Sequence, residues 1–226
     1  MTFSFIFSDK RTQKEAALLE AALDVFSEFG YRKSGIEDIA KRAGIANGTV
    51  YLYAGSKRDL YKRAVEYGFD KWQAAAAGSA AAVGNGPDAS RARFEALCRA
   101  AYSYLASEPR LRRILARDPA LFPAAPGVDG DDPFVEINRR SVALLEEAIA
   151  DGVRSGEFEV DDPRAAAELL FSLYRVMIDK AYVEEDGGEG RRFEAALGVI
   201  LNGLSSRGPA PRPEHTKTES TERGGN

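Results

Sequence analysis

Few residues in this sequence could carry out covalent or metal chemistry. The 226 residues include one histidine, His215, and one cysteine, Cys98, which together cannot build a conventional zinc site. The sequence contains no nucleophile elbow and no glycine-rich phosphate loop. The paired carboxylates Glu146–Glu147 and Asp161–Asp162 are typical of a solvated helix surface and a helix start. We therefore expect neither an enzyme nor a bound metal or cofactor.

The uneven distribution of charge along the chain indicates binding of a polyanion rather than covalent chemistry. The chain carries a net charge of −4, which argues against a basic nucleic-acid coat protein. Residues 31–58, however, hold six Lys or Arg against two acidic residues (+4), whereas residues 59–226 hold 22 basic and 28 acidic residues (−6). A small basic module attached to a larger acidic one suits a polyanion-binding head on a body that does not bind polyanions.

The spacing of apolar residues predicts an all-α chain. A stripe from Leu18 to Phe29 predicts a first helix that starts near Thr12 and closes at Gly30. The run Ser34-Gly-Ile-Glu37 is typical of a capping box opening a short second helix. Further helices are predicted over about Asn47–Tyr53, from Lys57 until the chain becomes Ala/Gly-rich at Ala74, and over Ser90–Ser107, Pro109–Arg117, Pro133–Ser155, Pro163–Glu184 and about Gly190–Leu204. A long loop is expected at 118–132.

The second and third helices, joined by a glycine turn in the basic segment, are typical of a helix-turn-helix. Helical geometry predicts that Val50 turns inward onto Ile39 and Ala40, whereas Gly48 and Leu52 point outward. A mostly small, uncharged outer surface suits entry into a DNA major groove. A helical hairpin within an ordinary α-bundle fits the same spacing.

The residues of this segment closely resemble the signature of the TetR (tetracycline repressor) family. The resemblance lies in Ile39-Ala-Lys-Arg-Ala-Gly-Ile45, in Gly48-Thr-Val-Tyr-Leu-Tyr53 and in the upstream run Ala21–Tyr31, and it covers about Lys14–Val65. It implies an N-terminal three-helix DNA-binding head followed by an α-helical body for ligand binding and dimerisation. We expect the head over residues 12–58, the body over 59–205 and a disordered tail over 206–226. Two residues depart from the family pattern, Ala54 in place of an aromatic and Ala46 in place of a polar cap.

The resemblance also implies roles for individual residues of the head. Base edges would be read by Asn47, Gly48, Thr49 and Leu52, and phosphates would be gripped by Tyr51, Tyr53 and Lys57. Lysine supplies charge without sequence information, and tyrosine hydroxyls position the backbone. The alternatives remain aromatic packing for the tyrosines, a solvated cap residue for the lysine, and helix capping for the asparagine.

The helix predicted over Pro163–Glu184 is apolar around nearly its whole circumference. Such a helix is buried on more than one side, and a second copy of the chain is the simplest partner. A central helix within one subunit is the alternative. The homodimer that the family resemblance implies would use Leu170, Leu173, Met177, Phe193, Leu197, Ile200 and Leu201.

The body is rich in aromatic residues that could line a ligand cavity, although each of them could equally be ordinary core. The candidates are Phe69, Trp72, Phe94, Leu97, Tyr102, Phe122, Phe134, Tyr174 and Arg175. Arg175 could face the cavity, or it could pair with Asp179 one helical turn away. For Cys98, flanked by apolar residues, we expect a buried and inert thiol.

These features together predict a ligand-responsive, site-specific transcriptional regulator. It would be a homodimeric repressor that a small molecule releases from a palindromic double-stranded DNA operator. The alternatives are a structural, sequence-indifferent DNA-binding protein and a small-molecule-binding enzyme with an unrecognised site. No apolar run is long enough to span a bilayer and no signal sequence opens the chain, so we expect a cytoplasmic protein without a membrane partner. The apolar start, Phe3–Phe7, is interpreted as a leader or a flexible arm.

Overall fold

The computed structural model describes residues 3–117, 133–183 and 189–205. These residues form α-helices, with one isolated β-bridge between Phe158 and Ser205, so the predicted all-α class is confirmed. None of the described helices is long and apolar enough to cross a membrane. The helices are α1 (Phe3–Lys33), α2 (Ile36–Ala43), α3 (Asn47–Val50), α4 (Lys57–Ala81), α5 (Ala89–Ser107), α6 (Pro109–Arg117), α7 (Pro133–Ser155), α8 (Pro163–Val183) and α9 (Glu189–Leu204).

Helix α1 is longer than predicted at both ends. It is helical from Phe3 rather than from Thr12, because no glycine or proline interrupts the upstream residues. Gly30 marks a kink rather than the end of the helix, with φ 74° and ψ 163°. That backbone conformation is accessible essentially to glycine alone. The expected leader or flexible arm at Phe3–Phe7 is therefore part of α1.

The predicted capping box at Ser34 is wrong. The buried Ser34 hydroxyl donates to the carbonyl oxygen of Gly30 at 2.7 Å, and Gly35 is the N-cap of α2 without a side-chain hydrogen bond. The hydroxyl satisfies a carbonyl at the kinked end of α1, so it does not cap α2. A capping arrangement does open α4, where Ser56 Oγ accepts from the Asp59 amide at 3.1 Å and Asp59 Oδ2 accepts from the Gly55 amide at 2.9 Å.

Helix α4 runs without interruption from the head into the body. It continues to Ala81, past the Ala/Gly-rich segment where the sequence predicts its end. The run Ala74–Ala77 explains the difference, because alanine has the highest helix propensity and outweighs the single glycine at Gly78. The same helix thus carries the buried Leu60 near its start and the buried Trp72 further along.

Two hydrophobic cores hold these helices together. The first core joins α1 to α4 with α5, α6 and α7, and among its fully buried members are Leu18, Val25, Ile39, Val50, Leu60, Val65, Leu105, Leu111 and Ile137. The second core lies in the far half of the body and comprises Phe94, Val142, Ile149, Phe158, Ala167, Phe193, Leu197, Leu201 and Leu204. Because the first core spans both predicted domains, the head is packed directly on part of the body.

Helix α6 contacts α1 and α4 through close packing of apolar side chains, and it contacts α1 through ion pairs as well. A Cβ atom at Gly68 of α4 would lie 2.6 Å from Leu111 Cδ2 and 3.3 Å from Leu23 Cδ2, so glycine permits the close approach of the three helices. Beside this contact the Arg110 guanidinium bonds Glu108 (2.6 Å), Glu20 (2.7 Å) and Asp24 (2.9 Å). Helix α6 therefore packs directly on both α1 and α4.

The carboxylates of this network are held in their charged form. The hydrogen bond from Arg110 lowers the pKa of Glu108 below its ordinary value. Burial acts to raise the pKa of Glu20, but hydrogen bonds from Lys71 and Arg110 outweigh it, and that pKa is also lowered. The network therefore contributes to folding stability only while these carboxylates are ionised.

Candidate nucleic-acid interface and body cavity

The short helix α3 presents one apolar side inward and the opposite side to solvent. Val50 is 1% exposed, against the buried Ile39 and Ala40 of α2, whereas Leu52 is 74% exposed. The inward and outward faces therefore match those that the apolar spacing predicts. Asn47 and Gly48 are exposed and Thr49 is half-buried.

Helix α3 ends at Val50 rather than at Tyr53. The following residues tighten into a turn in which the Leu52 amide donates to the Thr49 carbonyl at 3.1 Å and the Tyr53 amide donates to the Val50 carbonyl at 2.9 Å. Ala46 is the N-cap and no side chain caps the helix. Asn47 is thus the first helical residue, and its exposed amide side chain is positioned outside the fold.

The two tyrosines of the segment lie in different environments. Tyr51 is 56% exposed, whereas Tyr53 is half-buried and packs against the first core. Of the two roles considered from the sequence, phosphate contact and packing between helices, the structure shows packing for Tyr53. The Tyr51 hydroxyl is the one placed to reach outward.

Lys57, the first residue of α4, lies against the end of α1. Its Nζ atom is 4.8 Å from the centre of the Tyr31 ring and 3.5 Å from the carbonyl oxygen of Arg32. Tyr31 in turn stands edge-on to Tyr61, with ring centres 5.3 Å apart. The ammonium group thus lies against the kinked end of α1, and Tyr31 is a neighbour of Lys57 that sequence reasoning missed.

Most basic groups of the segment 31–58 are directed to solvent. Arg32, Lys33, Lys41 and Arg58 are exposed, and Arg42, also exposed, pairs with Glu28 at 3.1 Å. We refer to these exposed basic side chains, together with the exposed residues Asn47, Gly48 and Leu52, as the basic surface. Such a surface can grip phosphates through its charges and contact base edges through its uncharged groups.

A cavity lies in the body between α4, α5, α7, α8 and α9. Its volume, counted as the space open to the centre of a water-sized sphere, is about 80 Å³, and the cavity is partly open to solvent. Its walls are almost entirely carbon, and the described residues that line it include no charged side chain. They are Trp72, Gln73, Ala76, Phe94, Leu97, Cys98, Ala101, Ser141, Leu144, Leu145, Leu170, Phe171, Leu173, Tyr174, Phe193, Ala196, Leu197 and Ile200.

The residues predicted for a ligand cavity are only partly brought together. Trp72, Phe94, Leu97 and Tyr174 do line it. Three others are not among its lining residues: Phe69 and Phe134 stand edge-on to each other at 5.6 Å, and Tyr102 stacks at 4.2 Å on the lining residue Phe193. Phe122 lies outside the described residues. The side chains of Arg175 and of Asp179, with which Arg175 could pair, also lie outside them.

The residues predicted for a dimer interface lie mainly along the same cavity. Leu170, Leu173, Phe193, Leu197 and Ile200 line it. Leu201 is buried in the second core, and the side chain of Met177 lies outside the described residues. Helices α8 and α9 also carry apolar side chains turned to solvent, with Leu169 62% exposed and Val199 74% exposed. One side of each helix thus remains available for a partner.

Sequence reasoning missed the polar corner of the cavity. Gln73 Nε2 donates to the Ser141 hydroxyl oxygen at 2.9 Å and to the Ile137 carbonyl at 3.0 Å. Gln73 follows Trp72 among the buried residues of α4. A polar residue among apolar ones was the feature of the sequence that could have indicated a polar group inside the body. Its partner on α7, 68 positions later in the chain, could not be read from local spacing.

The cavity contains no group prepared for covalent or metal chemistry among the described residues. Burial raises the pKa of Cys98 to about 12, so the thiol stays protonated near neutral pH. No cluster of three or more His, Cys, Asp or Glu side chains that could hold a metal ion occurs within the described part of the chain. The described lining residues therefore offer apolar contacts and hydrogen bonds to a bound molecule.

Comparison with known proteins supports the resemblance seen in the sequence. Residues 18–64 match the family of bacterial regulatory proteins called the tetR family. The fatty acid metabolism regulator protein of Bacillus subtilis is 41% identical over 51 residues, which are 23% of this chain and 26% of that protein. The chain thus spans about a quarter of the length of the curated relatives it matches.

Solved structures extend the likeness over the whole fold. A TetR-family transcriptional regulator from Pectobacterium atrosepticum superposes with a TM-score of 0.66 and 27% identity, covering 88% of this chain and 97% of that one. The regulator FadR of Bacillus subtilis, solved in complex with stearoyl-CoA, superposes with a TM-score of 0.69 and 20% identity over 83% of this chain and 98% of that one.

The matched segment contains the whole of α2 and α3 and the start of α4, so it includes the basic surface described above. Proteins of this family are regulatory transcription factors rather than enzymes. Residues 18–64 are therefore similar to the tetR family of bacterial regulatory proteins, and the described chain has the fold of a solved TetR-family transcriptional regulator.

Proposed function

We propose that this protein is a site-specific transcriptional regulator, a homodimeric repressor that a small molecule releases from a palindromic DNA operator. The observation that carries the proposal is the outward side of α3 and of the turn that follows it, where exposed Asn47, Gly48 and Leu52 lie within a segment of net charge +4. Thr49 at its edge supplies a hydroxyl, and hydroxyl and amide groups can distinguish base pairs in the major groove. The protein would act in the cytoplasm, and it would catalyse no reaction.

In this proposal phosphates are held by two groups beside α3. Lys57 would supply charge from the start of α4, where it lies against Tyr31 and the end of α1. Tyr51 would donate its exposed hydroxyl. Such contacts set the register of the protein on DNA without reading sequence.

The proposed release depends on the continuity of α4. The helix carries Lys57 at one end and Trp72 and Gln73 on the cavity wall further along. In a dimer, two copies of α3 must lie about 34–36 Å apart, or at a related spacing, to engage two half-sites. A ligand that binds better to a wider or rotated arrangement would lower DNA affinity in proportion to its differential affinity for the two states.

A sequence-indifferent DNA-binding protein is the alternative within the same class. Its affinity would rest on widespread positive charge, whereas the chain outside residues 31–58 is acidic. Selection of bound duplexes from random DNA, followed by a mobility-shift assay with excess competitor, separates the two. We expect a palindromic consensus that survives competition, and a pool without enrichment would contradict the proposal.

A further inference from the structure

We infer that the cavity takes an uncharged, mainly apolar molecule that carries one hydrogen-bond donor, and that this donor is received by the side-chain carbonyl of Gln73. The inference deepens the proposed function, because it names the chemical class of the small molecule. It rests on the lining of the cavity and on the hydrogen bonds of its polar corner.

The orientation of the Gln73 amide is fixed by a backbone group. The Ile137 carbonyl can only accept, so the amide nitrogen of Gln73 must face it, at 3.0 Å. The second amide proton goes to Ser141 Oγ at 2.9 Å. The Ser141 hydroxyl proton is itself committed to the same Ile137 carbonyl, at 2.9 Å. Every donor of this corner is therefore in use within the protein.

Within the group formed by Gln73, Ser141 and Ile137, the Gln73 carbonyl oxygen is the acceptor left for a ligand, and the Tyr174 hydroxyl is a separate polar group on the cavity wall. No described residue donates a hydrogen bond to it, and Gln73 lines the cavity. A ligand hydroxyl or amide N–H would satisfy this acceptor. A ligand group that can only accept would find no donor at this position.

Among the described lining residues, a charged ligand group would find no side chain of opposite charge. The described lining residues carry no charge, and the Cys98 thiol remains protonated. Transfer of a carboxylate from water into such surroundings is strongly unfavourable unless a cation or several donors receive it. The side chain of Arg175 lies outside the described residues, and the test therefore compares Arg175→Gln with the wild type.

The chain offers a built-in reporter for the test. Trp72 is its single tryptophan, it lines the cavity, and its indole donates to the Ala101 carbonyl at 2.8 Å. Titration of the full-length protein with 1-decanol, decanoate and methyl decyl ether, followed by Trp72 emission at about pH 8, compares three probes of similar chain length. Decanol is neutral with a donor, the ether is neutral without one, and decanoate is anionic.

We expect decanol to bind at least about tenfold more tightly than decanoate. We expect it to bind about three- to tenfold more tightly than the ether. Gln73→Leu should lower the affinity for decanol to that for the ether and leave the ether affinity nearly unchanged. Circular dichroism checks the fold of the variant. If it does not fold, the comparison of decanol with the ether on the wild-type protein decides the role of the donor.

Three results would overturn the inference. Decanoate could bind more tightly than decanol and lose that advantage in Arg175→Gln, which would assign the site to anions. Decanol and the ether could bind equally well to the wild-type protein, which would remove the role of Gln73. All three probes could fail to bind. Operator binding, measured separately on the same protein, then shows whether the proposed DNA-binding function stands without the ligand class.

Discussion

At the scale of single residues, Tyr51 and Tyr53 are two positions apart but differ in environment. Tyr51 is exposed beside α3, whereas Tyr53 packs against the first core. We predict that Tyr51→Phe weakens DNA binding by about 0.5–1.5 kcal/mol per half-site, the net value of one hydrogen bond, equally on operator and random duplexes. Fluorescence anisotropy with both duplexes measures this, and the thermal midpoint should not move.

The matched substitution at Tyr53 should behave in the opposite way. Tyr53→Ala removes a half-buried ring from the first core and should lower the free energy of unfolding by about 1–3 kcal/mol. Urea denaturation measures the loss. Equal destabilisation by Tyr51→Ala and Tyr53→Ala would contradict the different environments assigned to the two rings.

At the scale of helices, Gly68 permits the contact of α4 with α1 and α6. Gly68→Ala would place a methyl group 2.6 Å from Leu111 Cδ2, and we predict a loss of about 1–3 kcal/mol of folding stability from overpacking. Gly78→Ala on the same helix is the control, because its Cβ would meet no atom within 4 Å. The control should gain up to about 1 kcal/mol from helix propensity. Stabilisation by both substitutions in urea denaturation would contradict the close approach.

The ion network of α6 gives a prediction with a defined pH dependence. Arg110→Ala removes the partner of Glu108, Glu20 and Asp24, and should lower folding stability by about 1–3 kcal/mol near neutral pH. Because Arg110 lowers the folded-state pKa of Glu108 from 4.5, this stability is present above that value and is lost as pH falls through the lower folded pKa.

The measurement is urea denaturation of the wild type and Arg110→Ala across the acid range. The difference between them should shrink below about pH 4.5. Arg139→Ala is the control, because its pair with Glu136 is exposed and should contribute little at any pH. A difference for Arg110→Ala that stays constant into acid would show that lost packing rather than charge explains its effect.

At the scale of the whole molecule, the exposed apolar side of α8 suits a second copy of the chain. Leu169 is exposed there and does not line the cavity, so it tests assembly without disturbing the binding site. We predict that the wild type sediments as a dimer at micromolar concentration and that Leu169→Glu gives monomers. Val135→Glu, an equally exposed apolar position on α7, should leave the dimer intact. A wild-type monomer that still binds operator tightly would contradict dimerisation.

The fold was more predictable from the sequence than the cavity. Local spacing alone predicts the all-α class and the inward position of Val50, because both depend on residues close together in the chain. The capping role assigned to Ser34 was wrong, since its hydroxyl serves the kink at Gly30. The polar corner of Gln73 and Ser141 depends on a contact between distant helices, and local periodicity carries no information about such a contact.

The central claim, that α3 reads base edges while Lys57 grips phosphate, is tested by binding to operator and scrambled duplexes over a salt series. Lys57→Ala should weaken both equally and make the slope of log affinity against log salt shallower by about two for a dimer. Thr49→Ala and Asn47→Ala should each cost about 1–3 kcal/mol per lost base contact on the operator and much less on scrambled DNA. If both variants leave the ratio of specific to non-specific affinity unchanged, α3 does not read sequence.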